Sequence, residues 1–370
     1  MTGKSIANDT DHARPLAIEW ITDEDRFAEL AAAWDGLLPD DASPFDLHGW
    51  YSTWWKAFEG SGRLAVCATW RGEELEGVFP LIRRGNRLGA LANEHSSVFR
   101  PLARNQAAME RLAAAVIETI PGSFELAPLP SGDPSVAVLE HALGRARMLN
   151  FAENLHTSPI VETDGDFETW RVASKQRWGA PLERFRRKMG RDHEARFEIL
   201  EVPQDLEAEL DVGFVVEGSG WKGRAKTAIL STPETERFYR GVASAFHARG
   251  ELRLSRIVLD GTVAAFDLCL LYRNRLYLIK TGYDERFSKL APGLVLRLST
   301  IERCFELGYE AHELLGEDSE WKLKFATTER RHVVLRAYRR TPVGAGRYWY
   351  RAMVRPRLKS AYRSLRPKAR

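Results

Sequence analysis

At 370 residues the chain has room for two or three domains, each long enough to bury a core of its own. Its 44% hydrophobic and 28% charged content is ordinary for a globular protein and excludes a low-complexity or disordered chain. The formal net charge of +3 hides an asymmetry: residues 339–370 hold 11 Lys or Arg and no Asp or Glu, so the remainder is net −8. Cys67, Cys269 and Cys304 lack metal-ligand spacing. The last two sit in apolar runs and read as buried reduced thiols, which favours the cytoplasm. Met1 to Arg14 has no apolar run of the secretory kind, and no stretch of about 18 apolar residues predicts a transmembrane helix.

In chain order, residues 1–14 are polar and expected to be disordered. Asp23–Leu38 carries Phe27, Leu30, Ala31, Trp34 and Leu38 at helical spacing. Ser43-Pro44-Phe45 then opens a second helix with Trp50, Trp54, Trp55 and Phe58 as an aromatic face. Leu64–Trp70 and Leu75–Ile82 read as a hairpin about Arg71-Gly72-Glu73-Glu74, with a further strand near Leu88–Ala92. Helices over Gln106–Ile120 and Pro134–Asn150, with a short strand Ser123–Leu126 between them, complete an α/β unit over residues 15–150.

The second half, residues 196–340, repeats that order of elements. Arg196–Val202 reads as a strand, Asp205–Glu217 as a helix interrupted at Gly213, and Pro233–Ala248 as a helix entered through Ser231-Thr232. Leu252–Leu259 and Thr262–Tyr272 are strands joined by Asp260-Gly261, a strong two-residue hairpin signal, and Leu276–Thr281 follows through Arg273-Asn274. Gly293–Leu307 presents Leu294, Leu298, Ile301 and Phe305 on one face and stops at Gly308, which suits a left-handed cap. Tyr309–Leu315 and His332–Tyr338 complete the strands. Residues 151–195 form a basic segment that includes Arg171, Lys175, Arg177, Arg184, Arg186, Arg187, Lys188 and Arg191. It reads either as a solvated linker helix or as one that faces a phosphorylated ligand. In residues 341–370, Tyr350, Val354, Leu358, Tyr362 and Leu365 fall at helical spacing among arginines, with Pro356 expected to divide them into two short helices. A membrane-surface contact through residues 347–370, an RNA-contacting tail and a disordered solubilising end are the three readings of that stretch.

Glu217-Gly-Ser-Gly-Trp-Lys-Gly-Arg224 followed by Thr227-Ala228, and Lys280-Thr-Gly-Tyr-Asp284 with Ala291-Pro292-Gly293 downstream, resemble motifs of the CelD/FemAB-like (BioF2-like) branch of the GNAT acyltransferase superfamily. Gly316-Glu317 followed by Trp321-Lys322 resembles the end of that pattern, and Pro44-Phe45, Trp50, Trp54 and Phe79-Pro80-Leu81 its N-terminal region. The resemblance covers roughly residues 20–340. It implies an α/β (α+β) fold of two tandem GNAT-like domains, each a mixed, mostly antiparallel sheet flanked by helices. It further implies acyl transfer, carried mainly by the second domain, from acyl-CoA, of which acetyl-CoA is the expected case. The acceptor would be an amine, such as that of a sugar nucleotide or envelope polysaccharide precursor. A Fem-like, aminoacyl-tRNA-dependent transfer and a non-catalytic role in polysaccharide assembly are the alternatives, and nucleic acid enters only as tRNA in the first of them. The superfamily's phosphate loop is rich in glycine, whereas Ser288-Lys-Leu-Ala-Pro-Gly-Leu294 has one.

Direct acyl transfer needs donor and acceptor aligned, a sink for the amine proton and donors for the developing oxyanion. On the implied fold, the strands Leu276–Thr281 and Tyr309–Leu315 would splay to admit the donor. Lys280, Lys289, Pro292, Gly293 and Leu294 are the donor-binding candidates, with Pro292 at a first helical position where its missing N–H costs nothing; the plain alternative is the start of a core helix. Glu217 could hold or deprotonate an amine, Trp221 could stack on a sugar, and Lys222 or Arg224 could bind phosphate or carboxylate; the alternative is a flexible loop. Asp284 is a candidate base and Tyr283 a candidate acid to the leaving thiolate, though Asp284 also suits a turn. Glu317 is a further candidate base, with Lys322 orienting a carbonyl or phosphate, against a merely solvated acidic loop. The histidines show no ligand spacing, so no metal is expected. No Ser or Cys sits in a nucleophile elbow, so no acyl-enzyme is expected. The expected location is cytoplasmic, with peripheral attachment at the inner face of the membrane if the tail binds lipid.

Overall fold

The computed structural model describes residues 15–358. The polar stretch 1–14 and tail residues 359–370, with Lys359, Tyr362, Arg363, Leu365 and Arg366, lie outside the described residues, as do the side chains of residues 175–180 and of Trp221. Contacts divide the chain into two compact units: one comprises residues up to 55, 59–155 and 332 onward, the other 56–58 and 156–331.

The first unit begins with β1 (Ala17–Ile21), α1 (Glu24–Glu29), α2 (Ala31–Asp35) and α3 (His48–Phe58). The aromatic spacing that predicts α3 reflects burial: Trp50, Tyr51 and Trp54 are enclosed, and Phe45 meets Trp50 edge-on with centroids 4.7 Å apart. The strands β2 (Arg63–Leu64), β3 (Val66–Arg71), β4 (Glu74–Phe79), β5 (Leu81–Arg84), β6 (Arg87–Ala90) and β7 (Leu102–Ala103) follow. Next come α4 (Gln106–Thr119), β8 (Ser123–Pro130) and α5 (Pro134–Arg145). β1, β3, β4 and β7 pair antiparallel in that order, while the β2–β5–β6 ladder joins β8 through one parallel pairing. The helix expected to reach Asn150 stops at Arg145, because Arg147 takes a left-handed φ of 53°. The chain then enters β9 (Leu149–Glu162), a strand the sequence does not announce.

In the second unit α6 (Phe167–Asp192) carries most of the basic segment. Trp170, Leu182 and Met189 are buried in one apolar cluster with Leu296, Leu298 and Ile301, so this stretch is a packed helix of the unit rather than a solvated linker. There follow β10 (Ala195–Leu200), α7 (Leu206–Gly218), α8 (Trp221–Arg224) and α9 (Pro233–Ala248). After them come β11 (Leu252–Leu259), β12 (Thr262–Tyr272), β13 (Arg275–Tyr283), α10 (Pro292–Glu306), β14 (Ala311–Glu313) and α11 (Glu320–Leu323). The strand order β10-β11-β12-β13-β14-β9 is antiparallel except between β13 and β14. Asp260-Gly261 and Arg273-Asn274 make the two hairpin turns with both residues at positive φ, as such turns require. α7 runs unbroken through Gly213, where an interruption was expected. A Cβ there would stand 2.3 Å from the Phe266 ring, so the missing side chain lets α7 lie flat on β12.

β15 (Thr328–Tyr338) returns to the first unit and pairs antiparallel with β8 over its His332–Tyr338 part. α12 (Pro342–Trp349) then passes into a π turn over Tyr350–Val354, and helix resumes through residue 358. Pro356 does not divide it as expected. The Arg355 N–H reaches five residues back to the Tyr350 carbonyl, and this wide turn accommodates a residue that has no N–H to give. All three cysteines are buried and unpaired. Among the described residues no helix is long and apolar enough to cross a membrane.

Candidate active site

The site is built where β13 and β14 part. Their parallel pairing covers only Arg275↔Ala311, Leu276↔His312 and Tyr277↔Glu313. β13 runs on to Tyr283, but β14 ends at Glu313 instead of reaching the expected Leu315, because Leu315 and Gly316 turn the chain away with φ of 51° and 58°. Leu278–Tyr283 therefore keep an open edge on that side. A register shift adds to the bend: Leu268 faces Lys280 and Cys269 faces Leu278, which leaves Ile279 as the extra, bulged residue. The closed end of the cleft is clamped. The buried Glu313 carboxylate takes Arg275 of β13 at 2.8 Å and Arg330 of β15 at 2.9 Å.

One wall is the junction of α7 and α8. Glu217 is buried, and both carboxylate oxygens are engaged: Oε1 accepts from Lys222 Nζ at 2.9 Å and Oε2 from the Ile229 N–H at 2.9 Å. Lys222 Nζ also donates to the Thr281 carbonyl of β13 at 2.6 Å. This contact depends on Gly282, where a Cβ would lie 2.3 Å from Glu217 Cα. The expected flexible loop is thus a helix end pressed directly on the open strand. Ser219 Oγ donates to the Tyr283 carbonyl at 3.0 Å, and Arg224 pairs with Glu285 at 2.7 Å, bracing α8 against the turn after β13. Trp221 lies in α8.

Across the opening stands Lys322 of α11. Its Nζ donates to the Leu315 carbonyl and, at 3.1 Å, to the Glu317 carbonyl. Burial, with Arg297 and Lys222 adding to it, pushes the ammonium down to about 8. Lys280 is also pushed down to about 8, chiefly by burial, with its Nζ 4.7 Å from the centroid of the Tyr239 ring. Glu317 is exposed, and its charge acts both on Lys322 and on His156 of β9. Burial holds the His156 imidazole below its ordinary value, so it is neutral at neutral pH.

Asp284 is in place after β13, but its carboxylate is committed. It caps the turn that follows by accepting the Arg286 N–H at 2.9 Å and pairs with the Arg286 guanidinium, which holds it below the usual carboxylate range. Tyr283 packs against Gly293 at the start of α10. There Ala291 is left-handed with φ 49°, Pro292 occupies the first helical position, and the N–H groups of Leu294 and Val295 both bond the Ala291 carbonyl. The Gly293 N–H has no partner among the described residues and is one N–H free to meet an anion. Lys289 is exposed just before it, whereas the Leu294 side chain packs against the core.

Sequence reasoning missed two groups. His156 lies in the unannounced β9 and no motif marks it. The other is a fully buried set behind the cleft: Arg297 of α10 pairs with Asp267 of β12 at 2.8 Å and donates to His312 Nε2 at 2.5 Å, while His312 Nδ1 meets the Leu276 carbonyl at 3.0 Å. That pattern fixes the tautomer with the proton on Nδ1, and burial beside Arg297 pushes His312 down to about 3. An Arg within an apolar helical face was the available signal for this set.

Residues 175–323 match the acetyltransferase (GNAT) domain family. No curated protein sequence matches the chain. Among solved structures, FemX is similar over 91% of this chain and 99% of its own, with TM-score 0.56 at 10% identity. L-PGS from Bacillus licheniformis is similar over 89% of this chain and 96% of its own, with TM-score 0.51 at 14% identity. The C-terminal domain of a candidate lysylphosphatidylglycerol synthetase from Agrobacterium fabrum covers 89% and 96%, with TM-score 0.53 at 14% identity. The matched segment lies within the second unit and is an acetyltransferase domain of the GNAT type. The chain shares its fold with FemX.

Proposed function

We propose that the protein transfers an acyl group from an acyl-CoA thioester to the amine of a small or glycan-precursor acceptor, by direct attack in the β13–β14 cleft. The carrying observation is the open edge of Leu278–Tyr283, flanked by two half-buried lysines, Lys222 and Lys322, that each donate to backbone carbonyls at the opening. The pantetheine amides would pair with this edge as an added strand does, and the Gly293 N–H with Lys289 would meet the pyrophosphate. The amine nitrogen attacks the thioester carbonyl, its proton passes to a base, and the C–S bond breaks to release a thiolate. Glu217 and Asp284 have no carboxylate oxygen to spare, so Glu317 takes the proton, with the neutral His156 as its partner. Lys322 faces the developing oxyanion, and Tyr283 supplies the proton to the thiolate. Glu217 acts by holding Lys222. Incubation with acetyl-CoA and longer acyl-CoAs should raise the melting temperature, and a Lys289→Glu exchange should weaken that response. No stabilisation by any acyl-CoA overturns the reading.

A second reading, transfer from an aminoacyl-tRNA, is favoured by one face of α6. Arg184, Arg187, Lys188 and Arg191 line a recess there, and Arg184, Arg187 and Lys188 have no ion pair among the described residues. Salt-sensitive binding of charged tRNA, together with indifference to CoA, would select it.

A further inference from the structure

Helix α12 and its continuation to residue 358 are held on one side only. Tyr348 packs edge-on against Phe151 with centroids 5.6 Å apart and against Tyr338 at 6.5 Å. Just before the helix, the Arg339 and Arg340 side chains bond the carbonyls of Ile120 and Arg147 at 2.8 and 2.7 Å. The opposite side is apolar and open to solvent: Val343 is 66% exposed, Trp349 61%, Tyr350 50%, Met353 44% and Leu358 58%. Five large apolar side chains on one short helix exceed the scattered surface residues every protein carries. The π turn matters here, since its extra residue brings Leu358 back over Tyr350 and makes the apolar stripe continuous. Arg347, Arg351, Arg355 and Arg357 border the stripe, and none of them has an ion pair among the described residues. No acidic residue follows Tyr338 in the sequence. Cations without counter-charges beside an aromatic stripe complement a surface that is apolar within and anionic at its rim.

We infer that this helix is an interfacial anchor that lays Trp349, Tyr350, Met353 and Leu358 into the surface of a bilayer rich in anionic phospholipid, with the arginines at the headgroup level. Trp and Tyr are suited to that depth because each joins an apolar ring to a polar atom. The anchor is independent of the acyl-transfer reading and does not stand or fall with it.

The test is flotation of the full chain with phosphatidylcholine vesicles containing about 30% phosphatidylglycerol, against phosphatidylcholine alone. Binding is expected only to the anionic vesicles and should fall as salt is raised. Each of Arg347→Gln and Arg351→Gln should weaken partitioning about fivefold, the equivalent of one surface charge. A Trp349→Ser/Tyr350→Ser double variant should weaken it by more than tenfold while its unfolding midpoint stays that of the parent, since both side chains are exposed. Equal binding to both vesicle types, no binding at low salt, or binding undiminished in the serine variant overturns the inference. So does a concentration-dependent dimer that the serine variant abolishes, because the stripe would then be the seat of a second copy.

Discussion

The pair formed by Glu217 and Lys222 permits a quantitative test of the candidate site. Glu217→Ala removes both acceptor oxygens at once. The Ile229 N–H is then left without a partner in a buried position, which costs about 1–3 kcal/mol. Lys222 keeps the Thr281 carbonyl but loses its counter-charge, and a hydrogen bond to a charged group contributes about 1.5–3 kcal/mol. The Lys222 side chain is 20% exposed, so water recovers part of that second loss. The net destabilisation is about 3 kcal/mol, at the lower end of the range of about 3–5 kcal/mol for breaking a wholly buried pair. A domain of ordinary stability, about 5–15 kcal/mol, survives this and stays folded. Urea unfolding followed by circular dichroism should therefore give a lower midpoint with an unchanged slope. Lys222→Met closes a double-mutant cycle, in which the coupling should be about 1.5 kcal/mol. A coupling under about 0.5 kcal/mol would refute the reasoning, since the ion pair would then contribute no more than an exposed one.

Three further outcomes are expected. Lys322 has its pKa lowered to about 8 by burial, below its ordinary 10.5, so the folded protein binds fewer protons than the unfolded chain between those values. Stability attributable to this group should rise as pH climbs from about 8 to 10.5, and a Lys322→Met variant measured in parallel should lose that rise. Gly282→Ala would drive a methyl to 2.3 Å from Glu217 Cα, force α7 off β13, and lower stability by about 1–3 kcal/mol or more. Its acyl transfer should fall with it, and an unchanged urea midpoint would disprove the close approach. Asp284→Ala should cost about 1 kcal/mol as a lost cap yet leave the catalytic rate within about threefold, whereas Glu317→Gln should lower the rate by about 10²-fold or more at unchanged stability. The opposite ranking of these two variants would return Asp284 to the role of base.

Those elements whose local chemistry and packing agree were legible in the sequence. The hairpins about Asp260-Gly261 and Arg273-Asn274 and the helix ending before Gly308 follow from turn and cap preferences that tertiary contacts do not oppose. β9 escaped because Asn150, Glu153 and Asn154 interrupt any alternation, and its backbone partners are far away in sequence. Gly213 misled for a related reason: its lack of a side chain answers the Phe266 ring, not the conformation of its own helix. The basic count of α6 concealed the buried Trp170, Leu182 and Met189 on its inner edge. Among the site residues, the motifs marked Glu217, Lys222 and Lys322 as candidates. They did not show that Glu217 is saturated by two donors or that Arg286 occupies Asp284.

The buried set behind the cleft explains why the two strands part where they do. An Arg297–Asp267 pair with no exposure carries a desolvation cost that an apolar pair would avoid, so stability alone does not account for it. Its geometry suggests what the polar groups contribute. Arg297 ties α10 to β12 through Asp267 and to β14 through His312, while His312 is tied in turn to the Leu276 carbonyl of β13. Neutral at any working pH, His312 can serve only as a fixed acceptor toward Arg297 and a fixed donor toward β13. Three strands and the helix are thereby locked in one register at Leu276 and His312. Apolar packing is weakly directional and would tolerate sliding there, whereas these bonds would break. One pair further on, past Glu313, β14 has no such tie and the chain turns away. The cleft is the place where a directional network stops, which makes its position a property of Asp267, Arg297, His312 and Glu313 rather than of the motif residues that line it.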